Sequence, residues 1–159
     1  MQYLGLDCST KAIHGVWLDE EGNILDQRKW ASKDKKLDTR FVEILSDFDR
    51  DLSKITISTL IAVEASIYIQ NPRTTVALAS VVAGVKYICH RLSFNCMAVD
   101  NKVWKKQVLQ NGKADKAYIK KIAMEKWPDV NSDEQDFCDA ACIALWRKME
   151  DENADDISL

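Results

Sequence analysis

A chain of 159 residues is large enough to bury one hydrophobic core and too short for two substantial ones, so we expect one folded domain. Hydrophobic residues make up 47% and charged residues 30% of the sequence, which excludes a disordered chain. The longest apolar-rich segment, at 76–89, is interrupted by Ser80, Gly84 and Lys86, and the N-terminus lacks the basic and small-residue pattern of a secretion signal. We therefore expect a cytoplasmic protein without a membrane span.

The first half of the chain predicts an antiparallel meander followed by a helix and a central strand. Apolar segments at Gln2–Cys8, Ala12–Leu18 and 24–30 predict three strands joined by short polar turns. Apolar residues at helical spacing over Leu37–Leu52 predict the helix. The aliphatic segment 60–65 predicts a strand buried on both faces.

The second half alternates helices with one further strand. Asn71 before Pro72 is typical of a helix start, and the small residues of the following helix, Pro72–Arg91, would allow close contact with the sheet or a second subunit. A strand over Cys96–Val99, a short helix capped by Asp100, and a helix at 114–127 follow. Ser132 and Gln135 have the spacing of a capping box, which predicts a last helix from there through Met149. This order predicts an α/β fold with a mixed five-stranded sheet, three antiparallel strands and then parallel ones, flanked by helices.

The net charge of −3 conceals an asymmetry along the chain. Five of the 25 acidic residues follow Met149, so residues 1–149 carry 20 acidic and 22 basic side chains. We expect a folded domain at 1–149 and a disordered acidic tail at 150–159. Eight lysines lie between positions 102 and 126, and such a run indicates either a nucleic-acid surface or a solvated helical face. These lysines, called the basic stripe below, are Lys102, Lys105, Lys106, Lys113, Lys116, Lys120, Lys121 and Lys126.

Five cysteines without a Cys-x-x-Cys pair indicate reduced thiols rather than a disulfide framework. Cys138 and Cys142 lie four apart on a predicted helix. Buried free cysteines are the more common case. The rarer alternative is that both thiols ligate zinc together with His14 or His90.

Four acidic residues stand where a structural role is hard to assign. Asp7 ends the first apolar strand and Glu64 ends the second aliphatic one, while Asp136 and Asp139 share one face of the last helix. Each acid taken alone also fits a surface or capping position. Together they indicate a site for divalent cations, because buried carboxylates need positive charge and hard oxygen ligands suit Mg²⁺ or Mn²⁺. Two such ions would support in-line hydrolysis of a phosphodiester by an activated water.

Four segments of the sequence resemble RuvC-type Holliday junction resolvases. GLDCSTKAIHGVW at 5–17 is similar to the opening hairpin of the family, and IAVEASIYIQNPRTTVALASVVAG at 61–84 to its glutamate strand and following helix. VWKKQVLQNGKADKAYIKKIA at 103–123 resembles the lysine-bearing region, and DEQDFCDAACIALW at 133–146 the last acidic helix. The segments run in the family's order through most of residues 1–149, so they are specific as a set.

The resemblance implies a ribonuclease H-like fold, a homodimer with two active sites, and a Mg²⁺-dependent endodeoxyribonuclease that resolves four-way DNA junctions by paired nicks, with Mn²⁺ as a substitute metal. It places the metal-binding catalytic acids at Asp7, Glu64, Asp136 and Asp139, and functional lysines at Lys105 and Lys116. Lys106 and Lys113 of the basic stripe are further candidates for contacts to DNA.

Two departures from the family bear on specificity. Cys8-Ser9-Thr10 follows the first aspartate where bacterial members place glycine, which is closer to phage or viral relatives. The family's base-stacking aromatic, three residues after the glutamate, is Ile67 here, and the adjacent Tyr68 is the candidate for that DNA contact. One alternative that remains is a broader debranching nuclease for flaps, Y structures and replication forks. The others are a nuclease for RNA–DNA hybrids or single strands, and a non-catalytic nucleic-acid-binding or scaffold protein.

Overall fold

A mixed sheet of five strands forms the centre of the molecule in the computed structural model, which describes residues 1–65 and 71–157. The strands are β1 (Gln2–Cys8), β2 (Ala12–Leu18), β3 (Ile24–Ala31), β4 (Thr59–Glu64) and β5 (Cys96–Val99). Their order across the sheet is β3-β2-β1-β4-β5. β1, β2 and β3 pair antiparallel, whereas β4 pairs parallel with both β1 and β5, which confirms the predicted mixed sheet.

Helices cover both faces of the sheet. They are α1 (Leu37–Leu52), α2 (Pro72–Arg91), α3 (Asn101–Leu109), α4 (Lys116–Lys126) and α5 (Gln135–Ile157). Asn71 caps α2 by accepting from the backbone N–H groups of Arg73 and Thr74, and Asp100 caps α3, as the sequence predicted. None of the helices in the two described ranges combines the length and hydropathy of a membrane span.

Strand periodicity assigns each side chain of β1 to one of two cores. Leu4 and Leu6 point to the side where α1 and α2 pack, together with Phe48 and Val81. Tyr3 belongs to the opposite core, which α3, α4 and α5 cover. Because successive strand residues alternate between faces, Asp7 lies on the same face as Tyr3, under α5.

Two small residues of α2 serve contacts within the chain, whereas Ser80 and Ala83 are exposed. Ala77 is buried, and a Cβ on Gly84 would lie 2.5 Å from the Cδ1 atom of Leu45 on α1. Val76 and Tyr87 remain exposed on the outer side of the helix, each at 66%. The predicted contact of this helix with a second subunit is therefore restricted to that outer side.

The prediction of a disordered acidic tail is wrong for residues 150–157, because α5 continues through them to Ile157. The Tyr3 hydroxyl donates to Asp151 Oδ2 at 3.0 Å, and Lys148 forms an ion pair with Glu152 one turn further on. Gln107 of α3 also donates to Glu150 at 3.2 Å. These contacts tie the acidic end of α5 to β1 and α3.

Candidate active site

Three acidic side chains from β1 and α5 converge at one end of the sheet. Asp7, Asp136 and Asp139 each offer a carboxylate oxygen, and these oxygens all lie within 4.8 Å of one another. Asp7 follows the buried part of β1, and the other two lie one turn apart at the start of α5. One residue of the first strand and two of the last helix therefore form one acidic cluster, called the acid triad below.

Gly5 allows α5 to lie close enough to β1 for this convergence. A Cβ at position 5 would overlap the carbonyl oxygen of Ala140 and the backbone nitrogen of Ala144. Both partners are backbone atoms of α5, so no side-chain rotation would relieve the overlap. The absence of a side chain at Gly5 is thus a condition for the position of Asp136 and Asp139 beside Asp7.

Glu64 ends β4 at the same edge of the sheet. The parallel register pairs Leu6 with Val63, so the residues that follow, Asp7 and Glu64, emerge next to each other. The Glu64 carboxylate accepts hydrogen bonds from Trp104 Nε1 at 2.7 Å and from Asn101 Nδ2 at 3.0 and 3.1 Å. Glu64 is thus held by α3 beside the acid triad rather than within its 4.8 Å group.

The electrostatics of the site raise the pKa of two carboxyl groups of the acid triad, Asp7 and Asp139. Burial, followed by the charges of Asp139, Glu64 and Asp136, raises the pKa of Asp7 well above its usual range. Burial also raises the pKa of Asp139 to about 6, although Gln135 and Lys116 act in the opposite direction. The site therefore has an excess of negative charge that a divalent cation would neutralise.

The donor set fits a hard divalent metal. All the ligand atoms offered by the acid triad are carboxylate oxygens, which Mg²⁺ and Mn²⁺ prefer over nitrogen or sulfur. Cys138 and Cys142 are buried free thiols in the core under α5. In the described ranges the metal-capable group contains neither cysteine, so the zinc alternative receives no support.

Lys116 is the predicted lysine that the structure brings to the acid triad. Its Nζ lies 3.6 Å from Asp136 Oδ1, and its side chain is 74% exposed. Its positive charge opposes the rise in the pKa of Asp7 and Asp139 that burial causes. An exposed ammonium at this position is available to a phosphate that approaches the acids from solvent.

The other predicted DNA-binding residues lie further from the acids or outside the described ranges. Lys105 Nζ lies 5.5 Å from the centre of the ring of Trp104, the residue that donates a hydrogen bond to Glu64. Lys106 is exposed on α3, and Lys113 is exposed in the connection between α3 and α4. Tyr68, like Ile67, lies outside the described residues.

A chain of polar contacts beside Asp136 was missed at the level of sequence. His14, opposite Asp7 in the β1–β2 register, is 3% exposed. Its Nδ1 lies 3.6 Å from Asp136 Oδ2, and its Nε2 is 2.9 Å from Glu134 Oε2. Lys29 of β3 forms an ion pair with the same Glu134 oxygen. A histidine inside an otherwise apolar strand was the available signal.

Asn101 and Trp104 were also missed as partners of Glu64. Trp104 is fully buried, and its place in the sequence is that of an ordinary apolar residue in a short helix. Its indole N–H needs an acceptor once buried, but nothing in the local pattern identifies Glu64, which lies 40 positions earlier.

The sheet order, the flanking helices and the acids at strand ends define a ribonuclease H-like fold. Two solved structures of RuvC from Thermus thermophilus are similar to this chain. One has a TM-score of 0.73 at 13% identity and covers 91% of this chain and 92% of its own. The other, RuvC in complex with a Holliday junction substrate, has a TM-score of 0.75 at 13% identity and covers 91% of each chain.

The fold is therefore of the RuvC type, as the sequence motifs predicted. The sequence itself matches no family model and no curated protein sequence. At 13% identity the similarity concerns the fold, and the activity has to be argued from the side chains of this chain.

Proposed function

We propose that this protein is a divalent-metal-dependent endonuclease that cuts branched DNA, with four-way junctions as its preferred substrate. The observation that carries the proposal is the acid triad of Asp7, Asp136 and Asp139, with Glu64 held beside it. Carboxylates at the ends of two parallel strands and on one helix are costly to bury together without a cation. Their convergence on a RuvC-type fold supports a nuclease.

The acid triad would hold Mg²⁺, or Mn²⁺ in its place, with Glu64 as a further ligand. When bound, such an ion supplies Lewis acidity toward the phosphodiester and a water of lowered pKa. Asn101 and Trp104 fix the orientation of the Glu64 carboxylate by three donated hydrogen bonds. This leaves little rotational freedom at Glu64, so the geometry of the site exists before substrate arrives.

Lys116 binds and stabilises negative charge at the reacting phosphate. It stands 3.6 Å from Asp136 in the absence of substrate, where it offsets part of the repulsion among the acids. A phosphate at the acids would compete for the same ammonium group, and the additional charge that develops during hydrolysis would strengthen that contact. Lys105, Lys106 and Lys113 would add affinity for DNA that depends on salt and not on sequence.

Support for a branched substrate comes from the RuvC of T. thermophilus, whose structure includes a Holliday junction. A homodimer would present two acid triads to the two strands of a junction that are cut as a pair. The outer side of α2, with Val76 and Tyr87, is the candidate interface. A monomeric mass at micromolar protein concentration, measured by light scattering, would contradict the dimer without affecting the nuclease proposal.

The direct test compares wild type with Asp7→Asn on a labelled immobile four-way junction, beside flap, linear duplex and RNA–DNA hybrid substrates. We expect symmetric nicks at the junction that require Mg²⁺, and a variant that binds the junction but does not cut it. Equal cutting of flaps and junctions would indicate a general debranching nuclease, and stronger cutting of hybrids would place the activity on RNA. Binding without cutting by the wild type would establish the non-catalytic alternative.

A further inference from the structure

A positively charged groove adjoins the acid triad on the side of β2 and β3. It has a volume of about 350 Å³, and Asp136 forms part of its wall. Three lysines, Lys11, Lys29 and Lys33, line it against two acids, Glu134 and Asp136. We call it the β2–β3 groove. It is separate from the basic stripe, which begins at position 102.

Among the side chains that the structure describes, two of the three lysines in the β2–β3 groove have no acidic partner. Lys29 is paired with Glu134, and this contact, together with His14, lowers the pKa of the Glu134 carboxyl. Lys11 and Lys33 are exposed and form no ion pair with any of the side chains described, those of residues 1–65 and 71–154. The groove therefore offers two uncompensated ammonium groups beside an acidic cluster.

The backbone that carries these two lysines is tied together. The Arg40 guanidinium donates from Nε to the carbonyl oxygen of Thr10 at 2.7 Å and from Nη1 to that of Asp34 at 3.1 Å. The N–H of Ser32 donates to the carbonyl oxygen of Lys11 at 3.4 Å. The β1–β2 turn and the β3–α1 loop are thus linked, so Lys11 and Lys33 stay on one wall without a ligand.

Asp136 stands between the groove and Lys116. Its Oδ1 lies 3.6 Å from Lys116 Nζ, and its Oδ2 lies 3.6 Å from Nδ1 of His14, which lines the groove. A nucleic-acid strand carries one phosphate per nucleotide, so a strand whose reacting phosphate lies at the acids must extend past them in two directions. One direction leads toward Lys116 and the basic stripe, and the other leads into the β2–β3 groove.

We propose that the β2–β3 groove binds the phosphate backbone of the cleaved strand next to the reacting phosphate, on the side away from Lys116. Lys11 and Lys33 provide the contacts to phosphate, while Lys29 neutralises Glu134 so that this carboxylate does not repel the strand. The inference rests on the proposed nuclease function and adds a second binding surface to it. Its effect is to hold the strand on both sides of the bond that is cut, which restricts the position of that bond relative to the acids.

The test measures binding of a labelled immobile four-way junction in EDTA by fluorescence anisotropy over a range of salt concentrations. In the double variant Lys11→Ala/Lys33→Ala, we expect Kd to rise roughly tenfold and the slope of log K against log salt to fall by about 2, one per lost phosphate contact. Lys11→Arg/Lys33→Arg should restore both, because arginine keeps the charge. Lys54→Ala is the matched control, since Lys54 is an exposed lysine that precedes β4 at the other end of the sheet.

A second measurement locates the contact on the strand. Once the cleavage position is mapped, a neutral methylphosphonate replaces the phosphate on either side of it in turn. We expect one of the two methylphosphonate substitutions to weaken junction binding by the wild type. The same substitution should not further weaken binding by Lys11→Ala/Lys33→Ala, which already lacks the contact. Additive losses at both positions would overturn the proposal.

The outcomes separate this proposal from the nuclease proposal. If the wild type binds and cuts junctions while Lys11→Ala/Lys33→Ala binds like Lys54→Ala, the groove proposal fails alone. If the wild type binds no DNA, both proposals fail. Thermal melting of each variant establishes that the fold is intact, as expected for substitutions of exposed side chains.

Discussion

Replacing Asp139 with asparagine should stabilise the metal-free protein near neutral pH. The folded protein raises the pKa of this carboxyl from an ordinary value of 3.8 to about 6, chiefly because it is buried. One pKa unit corresponds to about 1.4 kcal/mol, so ionising Asp139 in the folded state costs about 3 kcal/mol. Because the folded-state pKa is the higher one, the stabilisation that the protonated group provides is present below about pH 4 and is lost as pH rises through about 6.

The assay is urea unfolding of wild type and Asp139→Asn in EDTA at several pH values. We expect the variant to be more stable than wild type by up to about 3 kcal/mol above roughly pH 7, and the difference to shrink toward zero near pH 4. Asp133→Asn, at an exposed position just before α5, is the matched control and should change little at any pH. Excess Mg²⁺ should raise the melting temperature of wild type at neutral pH and have a much smaller effect on Asp139→Asn.

A lower stability of Asp139→Asn than of wild type in EDTA above roughly pH 7 would contradict this prediction. That result would mean that the carboxylate forms favourable contacts in the folded protein that exceed its cost of burial. A Mg²⁺ effect of equal size in both proteins would show that Asp139 is not a ligand of the metal.

Three further variants test the supports of the site. Gly5→Ala should lower the melting temperature and the cleavage rate together, because the new methyl group would overlap the backbone of α5 at Ala144; retained activity would contradict the close approach. Trp104→Phe keeps the packing but removes a hydrogen bond to Glu64, a loss of about 2 kcal/mol for a bond to a charged group, and a Mg²⁺ titration of activity should shift to higher metal concentration. Lys116→Ala should reduce the cleavage rate at saturating junction without a change in melting temperature, and an unchanged rate would remove this lysine from the site.

Much of the fold follows from patterns within short segments. β1, β2 and β5 have the predicted bounds, and the alternation along β1 already places Asp7 on the face opposite to Leu6. The N-caps of α2 and α3 also follow from Asn71 and Asp100, because the cap contact is made within a few residues. These features depend on local geometry that one stretch of chain specifies by itself.

The candidate site was predictable in its acids and unpredictable in the groups around them. An acid at the end of an apolar strand is anomalous in any window that contains it, so Asp7 and Glu64 were visible. The hydrogen bonds from Asn101 and Trp104 to Glu64 join side chains with no local relation. The same holds for the approach of His14 and Lys29 to Glu134.

The sequence by itself determined the element types, the face that each strand residue takes, and the acids on which the proposed chemistry depends, since each follows from a period or an anomaly within one segment. Only the tertiary structure decided that α5 continues through the acidic segment, where Asp151 meets Tyr3 across 148 positions. It also decided that Lys11 and Lys33 share a groove with Asp136. The physical reason is that these features arise from the packing of α5 on β1 and of two loops on each other, and contacts between distant segments leave no periodic trace in either one.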